Sequence, residues 1–124
     1  MILVLGGGRI MDSILISVKK MLGITADYTH FDDDIIMHIN SVFMILHQLG
    51  VGPEEGFMIE SDRETWDEFI KDEFTIESVK SYMYLKVGLL FDPPTNSNVM
   101  EAKNRLANEL EWRLNTAVDN KITE

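Results

Sequence analysis

The side chains best suited to build a metal site are the three histidines, His30, His38 and His47, because neutral imidazole is a common ligand for transition metals. Their spacing does not bring them together. His38 and His47 are nine residues apart within one helical segment, which sets them about 180° apart around the axis at 100° per residue, so they cannot share an ion within one chain. Asp62, Glu64, Asp67 and Glu68 crowd as calcium ligands do, but the turn glycine and alternating ligand positions of an EF-hand loop are missing. For nucleophilic catalysis there is no Gly-x-Ser-x-Gly elbow and no Ser, His and carboxylate in a familiar arrangement. With 21 acidic residues, neighbouring carboxylates are expected by chance and do not point to glycosidase chemistry. Gly6-Gly7-Gly8 follows the apolar stretch 1–5 as in a dinucleotide site, yet Met11 stands where the third glycine belongs and no later strands supply a parallel sheet. The run also lacks the Lys-Ser or Lys-Thr of a phosphate loop. Without cysteine there is no disulfide, thiolate nucleophile or cysteine-bound zinc. The expectation is a protein that is not an enzyme, with no catalytic residue, no cofactor and no metal.

Charge narrows the function further. The chain carries a net charge of −10 over 124 residues, and a surface that neutralises DNA phosphates needs clustered Lys and Arg instead. Between Glu54 and Glu77 ten acidic residues stand against Arg63 and Lys71, so this segment holds −8 of the total. Such a band is a solvated face that keeps the protein soluble, or a negative lining past which DNA slides without sticking.

Residues 1–10 read as an extension. No basic residue precedes the apolar run and no small-residue cleavage site follows it, so a secretory signal is not expected. A Gly-Gly-Gly-Arg run is what a purine-rich ribosome-binding site spells in frame, and Met11 follows it closely, which marks Met11 as a natural start. The organisation expected is an extension at 1–10, one helical domain at 11–118 and a polar tail at 119–124.

The domain reads as helices joined by short loops, with no repeat and no low-complexity tract. A first helix is expected from about Asp12 to Leu22, stopped by Gly23. A second starts after Phe31, where Asp32, Asp33 and Asp34 can cap free amides and face the positive end of the helix dipole. Ile35, Ile39, Val42, Leu46 and Leu49 form its core stripe, widened by Ile36 and Phe43, whereas Met37, Met44 and Ile45 fall outside it. Phe57-Met58-Ile59 reads as a brief extended piece. A short acidic helix near Glu64 to Asp72 is anchored by Trp66, Phe69 and Ile70. Thr75 is the expected cap of a helix to about Phe91, with Ile76, Val79, Met83, Val87 and Leu90 on one stripe and Tyr82, Leu85 and Leu89 beside it. The second half of that helix is apolar nearly all round, which suits the centre of a bundle or a subunit contact. Asp92-Pro93-Pro94 ends it. The last helix opens at Asn96 or Ser97 and runs to about Val118, with Val99, Ala102, Leu106, Leu110, Leu114 and Ala117 facing inward and Glu101–Arg105 and Glu109–Arg113 paired outside. Trp112 lies opposite Leu110 among charged residues, where a large aromatic fits an interface better than a monomer surface.

The pattern as a whole resembles the head-to-tail connector proteins of long-tailed phages and prophages, also called head-completion or adaptor proteins. The resemblance is carried by residues 14–24, the Phe31-Asp32 start of the second helix and its exit Gln48-Leu49-Gly50-Val51-Gly52. It is densest over residues 77–94, ending in Leu89-Leu90-Phe91-Asp92-Pro93-Pro94, and includes Leu110-Glu111-Trp112-Arg113-Leu114-Asn115. It spans about Met11 to Asn115. It implies an all-α subunit, a small bundle of four to five helices with a short acidic loop region. Subunits would form a homo-oligomeric ring, commonly a dodecamer, between the portal protein and a tail-side completion protein. DNA would pass through the ring without sequence-specific binding, and no membrane is involved. The location implied is the head–tail junction of the virion, with assembly in the host cytoplasm. Phe91, Asp92, Pro93 and Pro94 are the helix-corner motif, and Met37, Met44, Tyr84 and Trp112 are the side chains expected at subunit interfaces. The competing reading is a small acidic helical binding module of phage or bacterial origin, a regulator or DNA-mimic inhibitor.

Overall fold

Helical periodicity dominates the chain, and five helices result: α1 (Ile14–Met21), α2 (Asp32–Gln48), α3 (Trp66–Phe69), α4 (Glu73–Phe91) and α5 (Ser97–Thr123). The structure is a computed structural model and describes residues 12–123; the expected extension at 1–10 lies outside the described residues. Among the described residues no strand forms, and β pairing is limited to an isolated antiparallel bridge between Ser13 and Thr65. Phe57-Met58-Ile59 therefore stays a loop. It is pinned instead by Asn40, whose side-chain amide donates to the Ile59 carbonyl at 3.0 Å and accepts from the Ile59 amide at 2.8 Å.

The helix ends follow local chemistry. Ser13 caps α1 by accepting from the Ile16 amide at 3.2 Å. Gly23 and Gly50, at φ of 81° and 83°, end α1 and α2. In each case the next residue's amide reaches back five positions, Ile24 to the Lys19 carbonyl at 2.8 Å and Val51 to Leu46 at 2.9 Å, the left-handed closure that favours glycine. The acid triplet behaves differently from expectation. Phe31 is the N-cap of α2 and makes no side-chain cap bond, so Asp32, Asp33 and Asp34 fill the first turn and face the helix dipole instead of capping it. α3 is shorter than expected, with Thr65 and Glu68 forming a reciprocal capping box. α4 starts earlier than expected because Asp72, not Thr75, is its cap, accepting from the Phe74 amide and from the Thr75 hydroxyl.

α4 is the central helix: it packs against α1, α2 and α5. That accounts for its apolar composition on every side. Ile76, Val79, Tyr82, Met83 and Val87 are fully buried against Ile14, Leu15 and Val18 of α1 and Ile35, Ile39, Val42 and Leu46 of α2 in one core. Trp66 closes the base of this core with no exposed surface, its indole N–H donating to the Ser17 hydroxyl at 3.3 Å. A buried indole needs such an acceptor, since an unpaired N–H there costs about 1–3 kcal/mol.

α5 departs most from the sequence reading. Val99, Ala102, Leu106 and Ala117 are exposed, and the buried face is centred instead on Ala107 and Leu114, with Met100, Leu110 and Val118 half-buried. The helix is thus turned by roughly 80° about its axis, at 100° per residue, from the most apolar setting. Polar ties explain the turn. The Tyr82 hydroxyl donates to Glu111 at 2.6 Å, and Asn115 donates to the Leu49 carbonyl at 3.3 Å. Ala107 carries so little side chain that α4 and α5 can approach closely there. Leu90, expected on the inner stripe of α4, is likewise about half exposed.

Candidate functional site

The proline corner was the densest sequence motif, and its geometry is that of a brace. The Asp92 amide closes α4 on the Gly88 carbonyl at 2.9 Å, and proline then prevents any further turn. Asn96 reopens the chain as α5, its side chain accepting from the amides of Asn98 and Val99 at 2.8 and 3.1 Å. Phe91 packs edge-on against Phe31, ring centres 5.3 Å apart. Phe31 in turn meets Tyr28 and His30. The corner is thereby fastened to the start of α2, so α2, α4 and α5 are mutually fixed at one end of the bundle. Pro93 and Asp92 face outward.

Two buried lysines, absent from the sequence reading, hold the other joints. Lys19 is 1% exposed and lies 2.8 Å from Asp32, an ion pair without hydrogen-bond alignment, while its ammonium donates to the Ala26 carbonyl at 3.2 Å. It ties α1, the 22–31 loop and α2 together. Lys80, 3% exposed, sits 5.7 Å from the centre of the Trp66 ring with Glu77 at 3.8 Å. A signal for both was present: each follows a core residue by four and precedes another by three, Leu15 and Leu22 for Lys19, Ile76 and Met83 for Lys80.

The four residues expected at interfaces fall in three places. Met37 and Met44, 58% and 63% exposed, line a groove of about 680 Å³ between α2 and the 55–58 loop; Phe43 and Phe57 form part of its wall and Met58 is a third exposed methionine. Tyr84 is half-buried. It packs edge-on against Trp66 at 6.2 Å and lines a cleft of about 610 Å³ between α1 and α4, with Ile16, Lys20, Met21 and Lys80. Burial pushes its hydroxyl up to about 12; a Ser17 hydrogen bond opposes that rise, and the Glu77 and Asp12 carboxylates add to it. Trp112, 68% exposed, stands on the outer face of α5. Tyr82 is the internal counterpart: burial first, then the Glu111 carboxylate, holds its hydroxyl protonated well above the usual tyrosine range, and Lys86 lies 3.9 Å from the same carboxylate.

The acidic stretch uses its carboxylates for local structure. Glu64 accepts from the Glu60 and Ser61 amides at 2.8 and 3.3 Å, and Glu68 from the Thr65 amide at 2.8 Å. Asp67 receives the Thr65 hydroxyl. Burial opposes the charge on Glu64, but its backbone and Ser61 hydrogen bonds outweigh this and hold the carboxyl below its ordinary range. His47 shares a 2.8 Å hydrogen bond with the Glu54 carbonyl. Among the described residues no three His, Asp or Glu side chains gather into a metal-binding group, and no helix is long and apolar enough to cross a membrane.

The bundle thus has a braced corner and leaves several large apolar side chains on its surface. The model of the phage connector protein family matches residues 14–121, from the first residue of α1 into the last turns of α5. The chain belongs to the phage connector protein family. No curated protein and no solved structure matches it. The connector is accordingly a structural component of a phage particle that associates with other virion proteins, and its family is not one of enzymes.

Proposed function

We propose that this connector is the subunit of a homo-oligomeric ring at the head–tail junction, seated between the portal protein and a tail-side completion protein, with DNA passing through its lumen. The observation that carries this reading is the family match over all five helices. The central domain at 11–118 would be the ring-building unit, made in the host cytoplasm and retained in the virion, with twelve copies as the working number. Met37, Met44, Tyr84 and Trp112 are the proposed contacts to neighbours. The net charge of −10 supports a lumen that repels phosphate and lets DNA slide.

Electron microscopy of the connector mixed with its portal tests this directly. The expected result is a ring of added density on the tail-proximal face of the portal. Light scattering that shows an inert monomer, together with no portal binding, would overturn the proposal and return the chain to the class of acidic binding modules.

A further inference from the structure

Two exposed faces of the connector complement each other. The first is the methionine groove along α2. Its apolar surface is Met37, Met44, Phe57 and Met58, and Asp33 and Glu55 place a carboxylate toward each end. Methionine is the side chain most able to reshape around an incoming helix. The second is the outer side of α5, where Val99, Lys103, Leu106 and Arg113 recur at spacings of four, three and seven and so share one side of the helix. Val99 and Leu106 are 43% and 49% exposed. The lengths agree: Asp33 to His47 and Val99 to Arg113 each span fourteen residues, about 21 Å at 1.5 Å per residue.

We infer that the outer side of α5 from one copy seats in the methionine groove of the next, as a head-to-tail contact between copies of this chain. The occupant follows from charge. Packing groove on groove would set Asp33 and Glu55 against themselves in a protein already at −10, and like charges at an interface cost several kcal/mol. Seating α5 brings Lys103 and Arg113 to those carboxylates, Arg113 exchanging its exposed 2.7 Å pair with Glu109 of its own helix, and covers Val99 and Leu106 with methionine. Within one chain α4 lies between the two faces, packing on both α2 and α5. A contact between two different faces propagates, and closes as a ring where the rotation per subunit allows it. This inference rests on the ring reading above and adds which surfaces build the ring.

The chain has no cysteine, so single cysteines report the contact cleanly. Leu106 is midway along its stripe, and Ser41, exposed on the groove, is one residue past the midpoint between Asp33 and His47. These two positions should meet whichever way α5 runs. Full-length Ser41→Cys and Leu106→Cys chains are mixed with portal and treated with a mild oxidant. A disulfide dimer in the mixture, absent from either chain alone, is the expected result; a chain with both substitutions should give a ladder of multimers. Assembly on portal without the mixed disulfide, or with dimers from one variant alone, overturns the inference and leaves the ring standing. Failure to assemble on portal, by wild type and variants alike, overturns both.

Discussion

Replacing Asp32 by Ala should expose how much the fold depends on one buried cation. Lys19 is 1% exposed and has two partners, the Asp32 carboxylate at 2.8 Å and the Ala26 carbonyl at 3.2 Å. Removing one member of a buried pair usually costs about 3–5 kcal/mol, since the other charge is left without compensation. Here the figure belongs at the low end, about 3 kcal/mol, because Asp32 keeps about a quarter of its surface in water and the Ala26 carbonyl remains to the ammonium. Lost first-turn dipole stabilisation adds about 0.5 kcal/mol. Together these correspond to a fall in Tm of about 12 °C for a domain of this size. The control is Asp33→Ala, in the same helical turn but exposed, which should lose only the dipole contribution. Lys19→Met should cost less than Asp32→Ala, because the carboxylate left behind can hydrate. Urea denaturation of the four proteins measures these differences. Equal stabilities of Asp32→Ala and Asp33→Ala, within about 0.5 kcal/mol, would refute the argument.

Three further outcomes are expected. Gly52→Ala should destabilise by about 2–3 kcal/mol in the same assay, because φ is 97° and a Cβ would lie 2.4 Å from Phe69, whereas Gly23→Ala, at φ 81° with open space around it, should cost only about 1 kcal/mol of backbone strain. Phe91→Ala should lose about 2–3 kcal/mol through the Phe31 contact, with Pro93→Ala near wild type, if the corner is a brace rather than a docking motif. Because the Glu64 carboxyl is lowered on folding, its contribution is complete above the unfolded carboxylate range near 4.5 and is lost as pH falls through the lower folded value. Glu64→Gln should therefore flatten the acid limb of a stability–pH curve and leave its slope above pH ~6 unchanged.

The helix ends show how far local chemistry reaches. Gly23, Gly50 and the Asp92-Pro93-Pro94 corner terminate helices where their covalent geometry requires it, and no tertiary contact is needed to know this. The core stripe of α2 is equally local, because Ile35, Ile39, Val42 and Leu46 recur at helical spacing and all are buried, while Met37 and Met44 on its other apolar side stay exposed. Thr75 misleads as a cap because Asp72, three residues earlier, offers a carboxylate for the same task.

The sequence by itself determined an all-helical, acidic chain, with the Asp92-Pro93-Pro94 corner as a helix end and Trp112 set apart on a charged face. Only the tertiary structure decided which side of α5 turns inward, because the Tyr82–Glu111 and Asn115–Leu49 bonds join residues 29 and 66 positions apart and outweigh the apolar count of the helix. It also decided that Lys19 and Lys80 go inside, through partners on other elements, Asp32 for one and the Trp66 ring for the other. The outer side of α5 is exposed for the same reason: periodicity records which residues are apolar, while long-range polar contacts select which of them the chain buries in itself and which it leaves for a neighbour.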